Sequence, residues 1–266
     1  MSGLPEALLE LQDLTRRLRR DCPWDREQTV RTIVPHTIEE AYEVADAAVG
    51  DDAPKLLDEL GDLLFQVYFL ALLLEERGAG GLEQAARLIH DKLVRRHPHV
   101  FGEVEAETAG RVRSNWEAIK REQEGRSGIF HDVPESLPSL LLARKVQRRA
   151  AAIDFEYRDV DGALADLDDE LRELKDAIAA AGGEPAPETD ADPHVFDELG
   201  DVLFAAVNVS RRVNVDPELA LRAASKRFRE RVERAQESAA AAGESFVELS
   251  LERKDAYFDD AKEELR

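Results

Sequence analysis

The chain has 266 residues, 43% hydrophobic and 35% charged, the balance of a globular protein rather than a disordered one. Its 36 basic and 57 acidic side chains leave a formal charge of −21, which repels nucleic acid polymers and anionic membrane surfaces over most of the molecule. A polyanionic small molecule stays admissible wherever a metal ion stands between the two sets of negative charge.

The first 20 residues, MSGLPEALLELQDLTRRLRR, form a helical pattern whose acids interrupt what would be the apolar run of a secretory peptide. The single cysteine, Cys22, excludes an internal disulfide and suits a reducing cytosol. The longest apolar run, Leu63–Leu74, is too short to cross a bilayer and contains Gln66. A soluble, cytoplasmic protein is expected, with neither a membrane nor a nucleic acid polymer as partner.

Helical periodicity continues nearly throughout, so the expected fold is all-α. In TIEEAYEVADAAV, Ile38, Ala41, Tyr42, Ala45, Ala48 and Val49 recur at the spacing of one helix face. Leu60, Leu63, Leu64, Val67, Leu70, Ala71 and Leu74 continue in the same way, and both sets are expected as buried stripes. The acids fall inside these stretches. Glu40 and Glu43, and Glu59 and Asp62, are each spaced i, i+3, which puts both members on one helix face. If the two helices pack antiparallel, four carboxylates converge. Unpaired they would repel one another, and a divalent cation removes the conflict. Mg²⁺ is the natural candidate because it takes hard oxygen ligands and keeps waters for substrate oxygens, with Mn²⁺ as a possible substitute. The plainer reading is a solvated helix face, with Thr37 and Glu40 forming a capping box. Gly61 inside the second helix suggests close packing there.

The second half repeats the first. LDELGDLLF (Leu57–Phe65) returns as FDELGDVLF (Phe196–Phe204), and EEAYEVADA (Glu39–Ala47) parallels DELRELKDA (Asp169–Ala177). KLVRRH (Lys92–His97) parallels RFRERV (Arg227–Val232), and NWEAIK (Asn115–Lys120) parallels YFDDAK (Tyr257–Lys262). Four blocks in one order imply two homologous helical domains of four-helix-bundle size. Residues 1–125 form the first, 126–140 a Gly-, Pro- and Ser-containing linker, and 141–266 the second. AGGEPAPETDADP (Ala181–Pro193) is a Pro- and acid-rich break of the composition expected for a mobile connection.

CPWDREQT (Cys22–Thr29), EEAYEVADA, DELGDLLFQV (Asp58–Val67) and KLVRRHPHVF (Lys92–Phe101) together resemble the MazG family of nucleoside triphosphate pyrophosphohydrolases. KVQRRAAAIDF (Lys145–Phe155) and DELGDVLFAAVN (Asp197–Asn208) resemble the second domain of its tandem form, so the likeness covers most of the chain. The resemblance implies an all-α homodimer with a Mg²⁺ site at EExxE…ExxD, hydrolysing NTP or dNTP to NMP or dNMP and pyrophosphate in nucleotide-pool housekeeping. It implies Glu39, Glu40, Glu43, Glu59 and Asp62 as the first site, with Glu40, Glu43, Glu59 and Asp62 as metal ligands. The second site is Asp169, Glu170, Glu173, Glu198 and Asp201, with the last four as ligands. Lys92, Arg95, Arg96, Arg227 and Arg231 resemble phosphate-contacting residues of the family, and Lys120, Lys262, Trp116 and Phe258 match its further basic and aromatic positions.

Two places in each domain are commonly lysine in active second domains of the family. Here they hold Asp166 and His194 in the second half, against His36 and Lys55 in the first, which makes the first motif the more complete. A nucleotide-binding regulatory protein without turnover therefore stays open as the alternative, at least for one domain. Glu39 or Glu43 is the candidate general base, and Lys92, Arg96, Arg227 and Arg231 are candidates for holding charge on the leaving pyrophosphate. Lys55, Arg95, Trp116, Lys120, Phe258 and Lys262 are candidate substrate contacts. Trp24 and Trp116 read first as packing aromatics and second as base-stacking platforms. No P-loop glycine motif is present.

Overall fold

The computed structural model describes residues 3–50, 52–102, 128–131, 133–183 and 190–266. Trp116 and Lys120, the NWEAIK block they belong to, and residues 184–189 of the Pro- and acid-rich break lie outside them. Among the described residues all regular structure is helical, as expected, and no helix is long and apolar enough to cross a membrane. The chain divides into two compact units, Met1–Ser127 and Gly128–Arg266.

The first unit contains α1 (Leu4–Asp21), α2 (Pro23–Glu27), α3 (Val30–Val49), α4 (Ala53–Glu75), α5 (Leu82–Arg96) and α6 (Pro98–Phe101). α3 and α4 pair most extensively, and α1 and α5 both touch α4. Thr29 starts α3 with a reciprocal cap: its Oγ1 accepts from the Thr32 N–H at 3.3 Å, while its own N–H donates to Thr32 Oγ1 at 2.8 Å. Asp52 starts α4 by accepting from the Lys55 N–H at 3.0 Å, with Pro54 in the first turn where its missing N–H costs nothing. The core is Ile33 against Phe69 and Leu73, ringed by Val30, Phe65 and Leu70, with Phe65 and Phe69 meeting edge to face at 5.8 Å. Arg19 ties the end of α1 to the end of α4, donating to both carboxylate oxygens of Glu76 at 2.9 Å.

The second unit contains α7 (Ser139–Ala151), α8 (Val160–Ala180), α9 (Pro193–Arg212), α10 (Pro217–Ala241), a 3₁₀ turn (Phe246–Glu248) and α11 (Leu251–Glu264). α8 and α9 pair as α3 and α4 do. Asp159 and Asp192 cap them, accepting from Gly162 N–H at 3.0 Å and His194 N–H at 2.9 Å. Small residues line the contacts: Ala163, Ala177, Ala205 and Val207 are buried on α8 and α9, and Ala235, Ala239 and Ala261 on α10 and α11. Arg144 of α7 pairs with Asp216, the cap of α10, and Gln147 donates to the Phe204 carbonyl at 2.7 Å.

The expected stripes are covered only in part, Ala71 being buried and Leu70 ringing the core. On α3 the buried residues are Ile33 and Ala47, while Ile38, Ala41, Ala48 and Val49 are exposed. On α4 Leu60, Leu64, Val67 and Leu74 are exposed, whereas Glu59, Gln66, Tyr68, Phe69, Ala71 and Leu73 are buried. Both helices are apolar on more than one side, and a single chain covers only the side turned to its own neighbours.

Candidate functional site: two acidic clusters

In the first unit the acids stand inside their helices rather than at the ends. Because α3 begins at Val30, Thr37 is mid-helix, its Oγ1 donating to the Ile33 carbonyl at 3.2 Å, so the Thr37–Glu40 capping box does not form. One carboxylate oxygen from each of Glu40, Glu43 and Glu59 lies within 4.8 Å of the others. Glu59 is only 6% exposed, Glu40 is half-buried and Glu43 is exposed. Burial, then a hydrogen bond and charge from Glu43, hold the Glu59 carboxyl above the usual range. The Lys55 ammonium, 3.8 Å from Glu59 Oε1, opposes that shift. The Glu40 carboxyl is raised too, by burial first and then by Asp62, Glu43 and Glu39. Asp62 is exposed and acts on Glu40 through charge, outside the tight trio. Glu39 is exposed and accompanies His36, whose Nδ1 is 3.7 Å from its Oε2.

The second unit builds the same feature on α8 and α9. Glu170, Glu198 and Asp201 bring one oxygen each within 4.8 Å of one another. Burial, followed by Asp201, Asp166, Glu173 and Glu198, raises the Glu170 carboxyl. Glu198 Oε2 is buried without a hydrogen-bond partner, while Oε1 lies 3.3 Å from His194 Nδ1. Glu173 stands outside the trio. Arg172 holds it at 4.0 Å and Asp169 at 2.9 Å.

A hard divalent cation fits both clusters. Three carboxylates this close, with Glu40 and Glu170 raised by burial and then by neighbouring acids, carry more negative charge than Lys55 or His194 beside them can offset, and Glu198 Oε2 has no hydrogen-bond partner. The donors are all oxygen, the set that suits Mg²⁺ or Mn²⁺. Gly61 and Gly200 do not mark close packing within their units: a Cβ added at either meets nothing within 4 Å. Gly61 instead lines an open groove with Lys55, Asp58 and Glu59.

Lys92, Arg95 and Arg96 lie on the last turns of α5, and Arg227 and Arg231 on α10. Phe258 of α11 packs on Phe228 of α10, ring centroids 5.5 Å apart, and Lys262 is exposed one turn further on. His97 and His99 face each other at 5.6 Å, with His97 Nδ1 2.6 Å from the Leu93 carbonyl oxygen, a helix-end arrangement rather than a metal pair. Two residues near the second cluster escaped the sequence reading. Tyr157 donates to Asp166 Oδ1 at 2.6 Å, and Arg172 bridges two of the motif's acids. Helical i, i+3 spacing could have revealed Arg172–Asp169, whereas Tyr157 lies before the helix and carried no such signal.

The chain is an all-α protein that twice brings carboxylates together from a pair of packed helices. Residues 28–101 match the model of the MazG nucleotide pyrophosphohydrolase domain. The chain is 37% identical over 258 residues to the nucleoside triphosphate pyrophosphohydrolase/pyrophosphatase MazG of Thermotoga maritima, covering 95% of this chain and 94% of that one. It is 36% identical over 264 residues to the nucleoside triphosphate pyrophosphohydrolase of Escherichia coli K12, covering 97% and 96%. A protein of the same name from Mycobacterium tuberculosis is 30% identical over 211 residues, 71% of this chain and 65% of that one. The chain belongs to the MazG nucleotide pyrophosphohydrolase family.

Proposed function

We propose that the chain hydrolyses nucleoside triphosphates, ribose or deoxyribose, to the monophosphate and pyrophosphate as cytoplasmic nucleotide-pool housekeeping, using Mg²⁺ or Mn²⁺. The observation that carries this reading is the convergence of Glu40, Glu43 and Glu59 on one point, in a chain whose relatives bear the name of that activity. Glu40, Glu43, Glu59 and Asp62 would hold metal in the first unit, and Glu170, Glu173, Glu198 and Asp201 in the second. When bound, the ion neutralises phosphate oxygens and lowers the pKa of a water. Glu39 or Glu43, both exposed, takes the proton of the water that attacks the α-phosphorus as the bond to the bridging oxygen breaks. Lys92, Arg96, Arg227 and Arg231 neutralise the departing pyrophosphate, and Lys55, Arg95, Trp116, Lys120, Phe258 and Lys262 contact the substrate.

A second reading, nucleotide binding without turnover, is favoured for the second unit by a specific observation. Where the first unit presents Lys55 and His36, the second has His194 and Asp166, and Arg172 already occupies Asp169 and Glu173. We further propose two family domains per chain, meeting within 126–140, and a homodimer. Exposed Leu57, Leu60, Leu64 and Val67 on α4, and Phe196, Leu199 and Leu203 on α9, form apolar stripes of coiled-coil spacing that a second copy would cover. Sedimentation equilibrium of the parent against Leu60→Glu reads the dimer, which predicts a monomeric variant.

Phosphorus NMR of the products tests the reaction. Monophosphate and pyrophosphate with Mg²⁺, and neither with chelator, are expected; diphosphate with inorganic phosphate would contradict it.

A further inference from the structure

The two acidic clusters draw on the same motif but not on the same acids. In the first unit α3 supplies Glu40 and Glu43 and α4 supplies Glu59; in the second α8 supplies Glu170 alone, and α9 supplies Glu198 and Asp201. The acid that drops out is Glu173, which holds the place of Glu43 in the repeat. The backbone does not explain the loss. Helix α8 runs unbroken from Val160 to Ala180, and Glu170 and Glu173 keep the i, i+3 spacing of Glu40 and Glu43.

The difference lies one residue earlier. Setting EEAYEVADA against DELRELKDA places Tyr42 opposite Arg172. Arg172 Nη1 stands 2.9 Å from Asp169 Oδ1, and its Nη2 stands 4.0 Å from Glu173 Oε1, so one guanidinium spans both acids. Tyr42 brings no cation to the corresponding pair, Glu39 and Glu43. A guanidinium stays charged at any working pH and cannot itself bind a metal ion, so a carboxylate that it holds is subtracted from the cluster until another cation displaces it. The hold is weak, because Arg172 is 64% exposed and Glu173 55%, and it yields to a divalent ion with a small loss of affinity.

We propose that Arg172 is a resident cation of the second cluster, which withholds Glu173 and lowers the affinity of that unit for a divalent ion. The proposal rests on the metal reading above and adds a residue that sets the two sites apart.

The test measures Mn²⁺ alone, without nucleotide, on the full chain carrying Glu40→Gln and Glu59→Gln, which removes two of the three acids of the first cluster. The paramagnetic resonance signal of free Mn²⁺, lost on binding, gives the dissociation constant. Arg172→Tyr, which installs the first unit's residue at an exposed position, should tighten binding by roughly 2- to 5-fold, the scale of an exposed ion pair. Glu173→Gln separates withholding from plain repulsion. With Arg172 in place it should change the affinity by less than about 2-fold, and combined with Arg172→Tyr it should remove the gain. Equal weakening by Glu173→Gln with and without Arg172 would make the guanidinium a distant charge only and overturn the proposal, as would Mn²⁺ binding that Arg172→Tyr leaves unchanged or weakens. An unsubstituted chain that binds no Mn²⁺ removes the metal reading and this inference together; one that binds it through the first cluster only removes this inference alone.

Discussion

Replacing Glu198 by Gln should stabilise the metal-free protein while abolishing the response of its second unit to metal. Glu198 contributes an oxygen within 4.8 Å of oxygens of Glu170 and Asp201, and its Oε2 is buried without a partner. At that separation and an effective dielectric constant near 20, a like-charged pair repels by about 3 kcal/mol. Asp201 is exposed, so solvent screens much of its share. A buried acceptor left unpaired costs about 1–3 kcal/mol on its own account. The carboxamide removes the charge and offers its NH₂ to the neighbouring carboxylates. Without metal a gain of about 1–3 kcal/mol is therefore expected, or a rise in Tm of roughly 2–4 °C per kcal/mol at this chain size. Differential scanning calorimetry in chelator and then in Mg²⁺ reads both effects: the parent should rise with Mg²⁺, and Glu198→Gln should lose the second unit's part of that rise. A metal-free Tm below the parent's, or an undiminished rise with Mg²⁺, would refute the view that this cluster is a set of charges awaiting a cation.

The other predictions concern titration and packing. The Glu59 carboxyl is held above its ordinary range, so its contribution to metal-free stability is full at low pH and is lost as pH rises through the raised value. In chelator the stability difference between the parent and Glu59→Gln should therefore move in the parent's favour as pH falls from neutral through the raised value to the ordinary carboxylate range, as urea melts would show; a shift the other way contradicts the assignment. The Tyr157 phenol is pushed up to about 12, chiefly by its hydrogen bond to Asp166. Its share of stability is complete below the ordinary phenol range and fades as pH climbs toward that value. A phenol ionising near that value in a near-ultraviolet titration should be seen in the parent and vanish in Tyr157→Phe. Phe69, fully buried against Ile33 and Leu73, should cost about 3–5 kcal/mol when truncated to Ala, measured by denaturant unfolding. A loss under about 1 kcal/mol would mean that this cluster is not the core of the first unit.

The meeting of acids from two helices was legible because helical geometry converts an i, i+3 spacing into a shared face, but four were expected to converge and three do in each unit, with Asp62 and Glu173 outside. Helix starts carry local signals as well, Asp52 before Pro54 and Asp192 before Pro193, but the start expected at Thr37 lies mid-helix because Thr29 caps α3. The buried face of α4 was not legible. Leu60, Leu64 and Val67 obey the same periodicity as Phe69 and Leu73, and only the position of neighbouring helices decides which side is covered. Gly61 misled for the complementary reason, since open space beside a glycine looks in sequence like close packing. The Tyr157–Asp166 bond joins a residue before α8 to one within it, and no periodicity announces such a contact.

The central claim is that the paired acids carry nucleoside triphosphate hydrolysis. Its most direct test is pyrophosphate release from a panel of NTPs and dNTPs in Mg²⁺, comparing the parent with folded Glu59→Ala and Glu198→Ala chains. Release by the parent is expected, and its loss on replacing the acid of whichever unit works, with Glu59 favoured because that site keeps Lys55 beside it. Full activity in a chain carrying both substitutions, or no release by the parent from any nucleotide, would contradict it.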